Sequence, residues 1–197
     1  CAPIADFAAR HQDIRRLIDG TIDLLTGKPV PAARTVFPDG SAADGSEDTA
    51  EDGEFDYETE AMALILAGQA PPPAWVPHIR RLHLAGTDVT DVSPLSGLTA
   101  LERLDLSDTS VTDVSPLSGL MALEALFLGN TSVTDTSPLS ALTALNTLYL
   151  DNTGVMDVSP LSRLTALKWL TLTSTGVTDV SPLAGLTALE ELDLDNT

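Results

Sequence analysis

The sequence predicts an α/β solenoid: stacked coils, each giving one short strand to a parallel sheet and one helical or 3-10 turn to the opposite side. Two observations predict it. First, a Leu-x-Leu pair recurs every 22 residues without a slip, at Leu82/Leu84, Leu104/Leu106, Leu126/Leu128, Leu148/Leu150, Leu170/Leu172 and Leu192/Leu194. A fixed period of this length is the mark of stacked repeats, each of which buries its apolar face only against its neighbours. Second, hydrophobic residues make up 43 % of the 197-residue chain but aromatic residues only 4 %, so the core is built from leucine and valine, as identical coils require.

Four segments follow in order: residues 1–28, an amphipathic helix; 29–55, an acidic flexible linker; 56–78, a helical N-terminal cap; and 79–197, five full repeats and an incomplete sixth. In the first, Ile4, Phe7, His11, Ile14, Ile18, Ile22 and Leu25 recur at spacings of three and four, giving one apolar face, and Gly27 and Pro29 end the pattern. A lone helix cannot bury such a stripe, so it would dock on the repeats, on a second copy or on an upstream domain. Residues 39–60 hold ten acidic residues and no basic one, a composition that favours a tether. A calcium loop from Asp48 to Thr59 is the alternative; it fails on Ala50 at a ligand position and Thr59 where the closing Glu belongs. Residues 57–67 read as a short helix with Ala61, Leu64 and Ile65 apolar and Gly68 as C-cap. Pro71-Pro72-Pro73 then stiffens the approach to Trp75, and the block covers the open end of the core.

Within each repeat the apolar columns are Ile79, Leu101, Leu123, Leu145, Leu167 and Leu189; the Leu-x-Leu pairs; Val89 to Val177; Leu95 to Leu183; and Leu98 to Leu186, each stepping by 22. Leu-x-Leu alternates with period two, the pattern of a strand with one buried face. Each side chain so buried stabilises by about 1.5–3 kcal/mol. Ser-Pro recurs from Ser93-Pro94 to Ser181-Pro182, with Ser as N-cap and Pro at the first helical position. The Asp column (Asp91, Asp113, Asp135, Asp157, Asp179) lies two residues earlier, placed to accept N–H groups of that turn. The Thr column (Thr87, Thr109, Thr131, Thr153, Thr175, Thr197) can bond backbone groups where the chain leaves the strand.

This pattern, Leu-x-x-Leu-x-Leu-x-x-Thr-x-Val-x-Asp-Val-x-Pro-Leu, closely resembles the 22-residue leucine-rich repeats of bacterial internalin-like proteins, over residues 79–197. The departure is Thr where that family usually carries Asn, which replaces an amide ladder with hydroxyls. The resemblance implies a right-handed curved solenoid with the strands on a concave face and the turns on a convex one. It also implies binding of another macromolecule on the concave sheet, and no catalysis. Nothing before Pro71 matches a family.

Function is then sought where the repeats differ. The outward strand columns run Arg81, Arg103, Ala125, Thr147, Trp169, Glu191 and His83, Asp105, Phe127, Tyr149, Thr171, Asp193 and Ala85, Ser107, Gly129, Asp151, Thr173, Asp195. Phe127, Tyr149 and Trp169 fall on successive coils opposite the buried leucines, where core packing does not require them. With Arg103, Asp105, Asp151 and Lys168 around them they form the expected partner-binding site, since interface hot spots favour large aromatics. Sheet-stabilising cross-strand contacts, or a covering by the first helix, are the competing explanations.

A net charge of −19 opposes binding to nucleic acid or to an anionic membrane, and the acidic rim around the aromatic residues favours a basic protein partner. No catalytic group, cofactor or metal is expected. His11, His78 and His83 lack metal-site spacing, and Gly20 to Lys28 misses the phosphate loop by two residues and by Pro29 in place of Ser/Thr. No serine sits in a nucleophile elbow. Cys1, the lone cysteine, permits no intrachain disulfide. The expectation is a non-enzymatic recognition module whose compartment is left open, the bacterial cytoplasm being favoured over the cell surface or periplasm. The alternatives are a sensor or substrate-recruiting arm of a larger enzyme or signalling protein, and a surface lipoprotein adhesin acylated on Cys1. The sixth coil stops at Thr197, so its edge is expected to be covered by further repeats or by another chain.

Overall fold

The computed structural model describes residues 56–197. The expectations for the first helix, most of the acidic tract with its calcium alternative, the phosphate loop and Cys1 lie outside them.

Helix α1 (Tyr57–Leu66) precedes the repeats. It ends in a Schellman arrangement: Gly68 takes φ +72°, its N–H bonds the Ile65 carbonyl, and the Gln69 N–H bonds the Leu64 carbonyl. Its buried face is Glu60, Ala61, Ala63 and Ile65. Leu64 is only half-buried, so the sequence-based face is rotated by one position. A 3-10 segment, Pro73–His78, follows the prolines and buries Trp75. Tyr57 closes over it, edge-on to Trp75 at 5.9 Å and stacked on His78 at 4.5 Å. Glu58 accepts the Arg81 N–H at 2.9 Å, so a side chain serves a strand-edge donor that no coil precedes.

Six three-residue strands then form one open parallel sheet in sequence order: β1 (Arg81–His83), β2 (Arg103–Asp105), β3 (Ala125–Phe127), β4 (Thr147–Tyr149), β5 (Trp169–Thr171) and β6 (Glu191–Asp193). Each strand pairs in strict 22-residue register, Leu82 with Leu104, then Leu126, Leu148, Leu170 and Leu192. Opposite the sheet, 3-10 turns open on Ser-Pro at Ser93–Leu95, Ser115–Gly119, Ser137–Ala141, Ser159–Arg163 and Ser181–Gly185. The anticipated apolar columns are buried through the first five coils. In the last, Leu189, Leu192 and Leu194 are half-buried. One core column escaped the sequence reading: Val92, Val114, Thr136 and Val158. Thr136 fits there because its hydroxyl donates to the Asp157 carbonyl of the next coil at 3.1 Å.

The polar columns divide the local bonding. The Asp carboxylates accept the N–H of the Ser two residues on, at 2.8 Å in every coil. The Ser hydroxyls do not cap the turns, contrary to the N-cap expectation. At Ser93, Ser115 and Ser159 the hydroxyl donates to the Asp instead. In the first turn the N–H groups of Leu95 and Ser96, which a capping hydroxyl would accept, go to the Val92 and Ser93 carbonyls, so the hydroxyl is left to act as a donor to the charged carboxylate. The serine two residues on, through its side chain first and its N–H second, holds the carboxyls of Asp91, Asp135 and Asp179 below the ordinary carboxylate range.

A group whose folded pKa is depressed stabilises the fold above its unfolded pKa, about 3.9, and loses that contribution as pH falls through the folded value. The thermal midpoint of a chain with Asp91, Asp135 and Asp179 replaced by Ala is therefore expected to lie below wild type at pH 7 and to converge on it below about pH 4. Parallel melting curves at all pH values would remove these carboxylates from the account.

Each Thr hydroxyl bonds the carbonyl of the second Leu in its own coil, three residues back, at 2.6–2.7 Å for Thr87, Thr109, Thr131, Thr153 and Thr175 and 3.0 Å for Thr197. These are separate bonds within coils and do not join one coil to the next. The ladder that does join them lies one residue earlier. Gly86, Asp108, Asn130, Asn152, Ser174 and Asn196 all take φ between +51° and +67°, the left-handed region that Gly, Asn and Asp tolerate best. There the Asn130 amide donates to Asp108 at 2.9 Å and the Asn152 amide to Asn130 at 2.8 Å. Ser174 interrupts this run. Replacing Ser174 by Asn eases the backbone and extends the ladder, so the variant is expected to gain about 0.5–1 kcal/mol in urea unfolding; a loss would show that the serine is preferred.

Candidate binding face

Strand alternation decides what the sheet shows to solvent. In each strand the middle leucine points inward and its two neighbours point out. Register then stacks the outward residues of successive coils: Arg103, Ala125, Thr147, Trp169 in one line and Asp105, Phe127, Tyr149, Thr171 in the next.

The structure brings Arg103, Phe127 and Tyr149 together. The Phe127 and Tyr149 rings meet edge to face at 5.0 Å, and the Arg103 guanidinium lies 4.4 Å over the Phe127 ring. Both rings are half-buried by these contacts. Trp169 belongs to the neighbouring line, between Thr147 and Glu191, and is 36 % exposed. Lys168 sits 5.6 Å over its ring and pairs with Glu190 at 2.9 Å. The expected aromatic cluster is thus two neighbouring patches, a stacked Arg103–Phe127–Tyr149 row and a separate Lys168–Trp169 pair. A strand's two outward columns lie two residues apart, which is why successive coils alone do not place three rings in contact.

Asp105 is engaged within the sheet, 3.1 Å from the His83 ring nitrogen and accepting the Ser107 N–H at 3.0 Å. Asp151 leans over Gly129, where a Cβ would come within 2.7 Å of its Oδ1, and lies 3.4 Å from the Thr171 hydroxyl.

Sequence reasoning passed over the feature beside them. A groove of about 520 Å³ runs along the first line and is lined by Arg81, Glu102, Arg103, Glu124, Ala125, Asn146 and Thr147. Its floor is Ala125, 8 % exposed, the one small residue between Arg103 and Thr147. Glu102 is paired with Arg80, whereas Arg81 and Arg103 make no ion pair among the described residues. The signal was present as an alanine between two larger neighbours, but it gains meaning only once the register is known. Among the described residues, no three His, Cys, Asp or Glu side chains converge as a metal site, and no helix is long and apolar enough to cross a membrane.

Comparison with known proteins agrees with the repeat architecture. A family described as Leucine Rich repeats (2 copies) matches residues 77–119. The crystal structure of internalin C2 from Listeria monocytogenes is similar at 40 % identity and a TM-score of 0.59, over 62 % of this chain and 55 % of that one. Internalin F of the same organism is similar at 33 % identity and a TM-score of 0.52, over 70 % of this chain and 48 % of that one. A leucine-rich repeat protein of Leptospira interrogans shares the fold at 21 % identity and a TM-score of 0.56. The chain spans about half the length of the two internalins. No curated protein sequence matches it. The expected likeness to internalin-like leucine-rich repeats is borne out, as is the solenoid fold.

Proposed function

We propose that this internalin-like leucine-rich repeat solenoid is a non-enzymatic recognition module that binds a protein partner across its sheet face. Leucine-rich repeats are generally protein-interaction scaffolds, and the sheet supplies a rigid platform whose side chains vary while its backbone does not. The observation that carries the reading is the placement of Phe127, Tyr149 and Trp169 on the solvent side of β3, β4 and β5, where the buried leucines already complete the core. Aromatic rings held by Arg103 and Lys168 arrive at an interface with little freedom left to lose, the property that makes such residues anchors. The test is a pull-down with the full chain against a Tyr149→Ala/Trp169→Ala double variant. A protein captured by wild type and lost by the variant supports the face as the binding surface. Equal capture by both places recognition elsewhere.

A further inference from the structure

The charges on the sheet face are not scattered; they are sorted along the stack. Five of the chain's basic residues lie in the described part, and three of them, Arg80, Arg81 and Arg103, sit at or beside β1 and β2. Arg80 is consumed by Glu102, which leaves Arg81 and Arg103 facing the groove with Glu124, while Glu58 accepts the Arg81 N–H. At the other end β6 presents Glu191 and Asp193, with Asp195 just beyond, and none of the three is in an ion pair among the described residues. The aromatics Phe127, Tyr149 and Trp169 lie between.

We infer that the face reads a polarised partner: a protein segment whose acidic side chain seats in the groove beside Arg81 and Arg103, whose apolar side chains cover the central rings, and whose basic side chain meets Glu191 and Asp193. This rests on the sheet-face reading above and adds a direction to it. Strands in a sheet lie about 4.8 Å apart, so the acidic and basic groups of the partner are separated by about 19 Å, four strand spacings from β2 to β6. A guanidinium fork is the natural receptor for a carboxylate. Stacking on Phe127 fixes the Arg103 plane while leaving its N–H edge free, and Ala125 leaves the depth for a side chain to enter. At physiological ionic strength charges are screened within about 8 Å, so the two ends act as independent contacts and not as one averaged field. A chain with net charge −19 would, by its total alone, favour uniformly basic partners; the arginines that are unpaired among the described residues make the β1–β2 end an exception.

The experiment is selection of a displayed library of random 20-residue peptides on the full chain, with counter-selection on the Tyr149→Ala/Trp169→Ala variant. Selected peptides are expected to carry an acidic residue toward one end and a basic residue toward the other, with apolar residues between. Arg81→Glu/Arg103→Glu should weaken them at least 10-fold, and changing the peptide's acidic residue to Lys should restore binding to that variant. Glu191→Lys/Asp193→Lys should do the same with the basic residue. All four residues are exposed or half-buried, and circular dichroism reports whether the variants keep the fold. Peptides that need Tyr149 and Trp169 yet carry no charge order, or that survive both reversals, overturn the polarity and leave the sheet-face reading standing. A selection yielding no peptide sensitive to Tyr149 and Trp169 overturns both.

Discussion

Replacing Leu148 by Ala is expected to cost about 2–5 kcal/mol of stability, among the largest effects of any single substitution in the solenoid. Leu148 is fully buried at the centre of β4, stacked between Leu126 and Leu170. Truncation removes its transfer free energy and leaves a cavity that the flanking coils, held by their own backbone ladder, cannot collapse to fill. At roughly 2–4 °C per kcal/mol for a chain of this size, the thermal midpoint should fall on the order of 10 °C. Stacked repeats contact only their neighbours, so a break at the fourth coil also uncouples the two sides, and the transition should broaden. Leu192→Ala is the matched control: the same column and chemistry, but half-buried on the last coil with a neighbour on one side only. Equal losses from the two substitutions, by circular dichroism against temperature and urea, would contradict the nearest-neighbour picture.

The second large effect is on binding. The Tyr149→Ala/Trp169→Ala variant should bind the partner about 100-fold or more weaker, since interface anchors of this kind are each worth about 2 kcal/mol or more. Stability should barely follow. Trp169 is 36 % exposed and gives up its contact with Lys168, worth about 0.5–1 kcal/mol. Tyr149 gives up its edge contact with Phe127, worth about 0.5–1.5 kcal/mol, so it is the less clean of the two. Titration of the isolated partner by calorimetry, beside melting curves, separates the readings. A large fall in the midpoint with binding intact would make the rings sheet stabilisers, the explanation that cross-strand contacts offer.

How much of this was legible in the chain differs between scaffold and site. The buried columns could be read because burial in a solenoid follows from position within the period, and the same leucine meets the same environment in every coil. The Asp column could be read because an Asx contact spans two residues. The cap of the turn was misassigned to Ser because the N–H groups an N-cap hydroxyl at Ser93 would accept, those of Leu95 and Ser96, go to the Val92 and Ser93 carbonyls, and only the geometry shows that the turn begins at Ser93 itself. The left-handed column was visible as Gly, Asp, Asn, Asn, Ser and Asn at 22-residue spacing, residues that share little except tolerance of positive φ. It was missed because the neighbouring Thr column drew the ladder expectation.

The sequence by itself determined the period, the strand and turn of each coil, the core columns and the set of residues that face out. These depend on contacts within a coil or between identical positions, so local pattern suffices. Only the tertiary structure decided which outward residues meet. Phe127 and Tyr149 touch because they share a column, while Trp169 stands in the next one beside Lys168. Arg81, Arg103 and Ala125 become a groove because parallel stacking sets residues 22 apart in sequence side by side. Side-chain contact across coils depends on register, column and the bulk of the intervening residue together, and no one of these is a property of a single repeat.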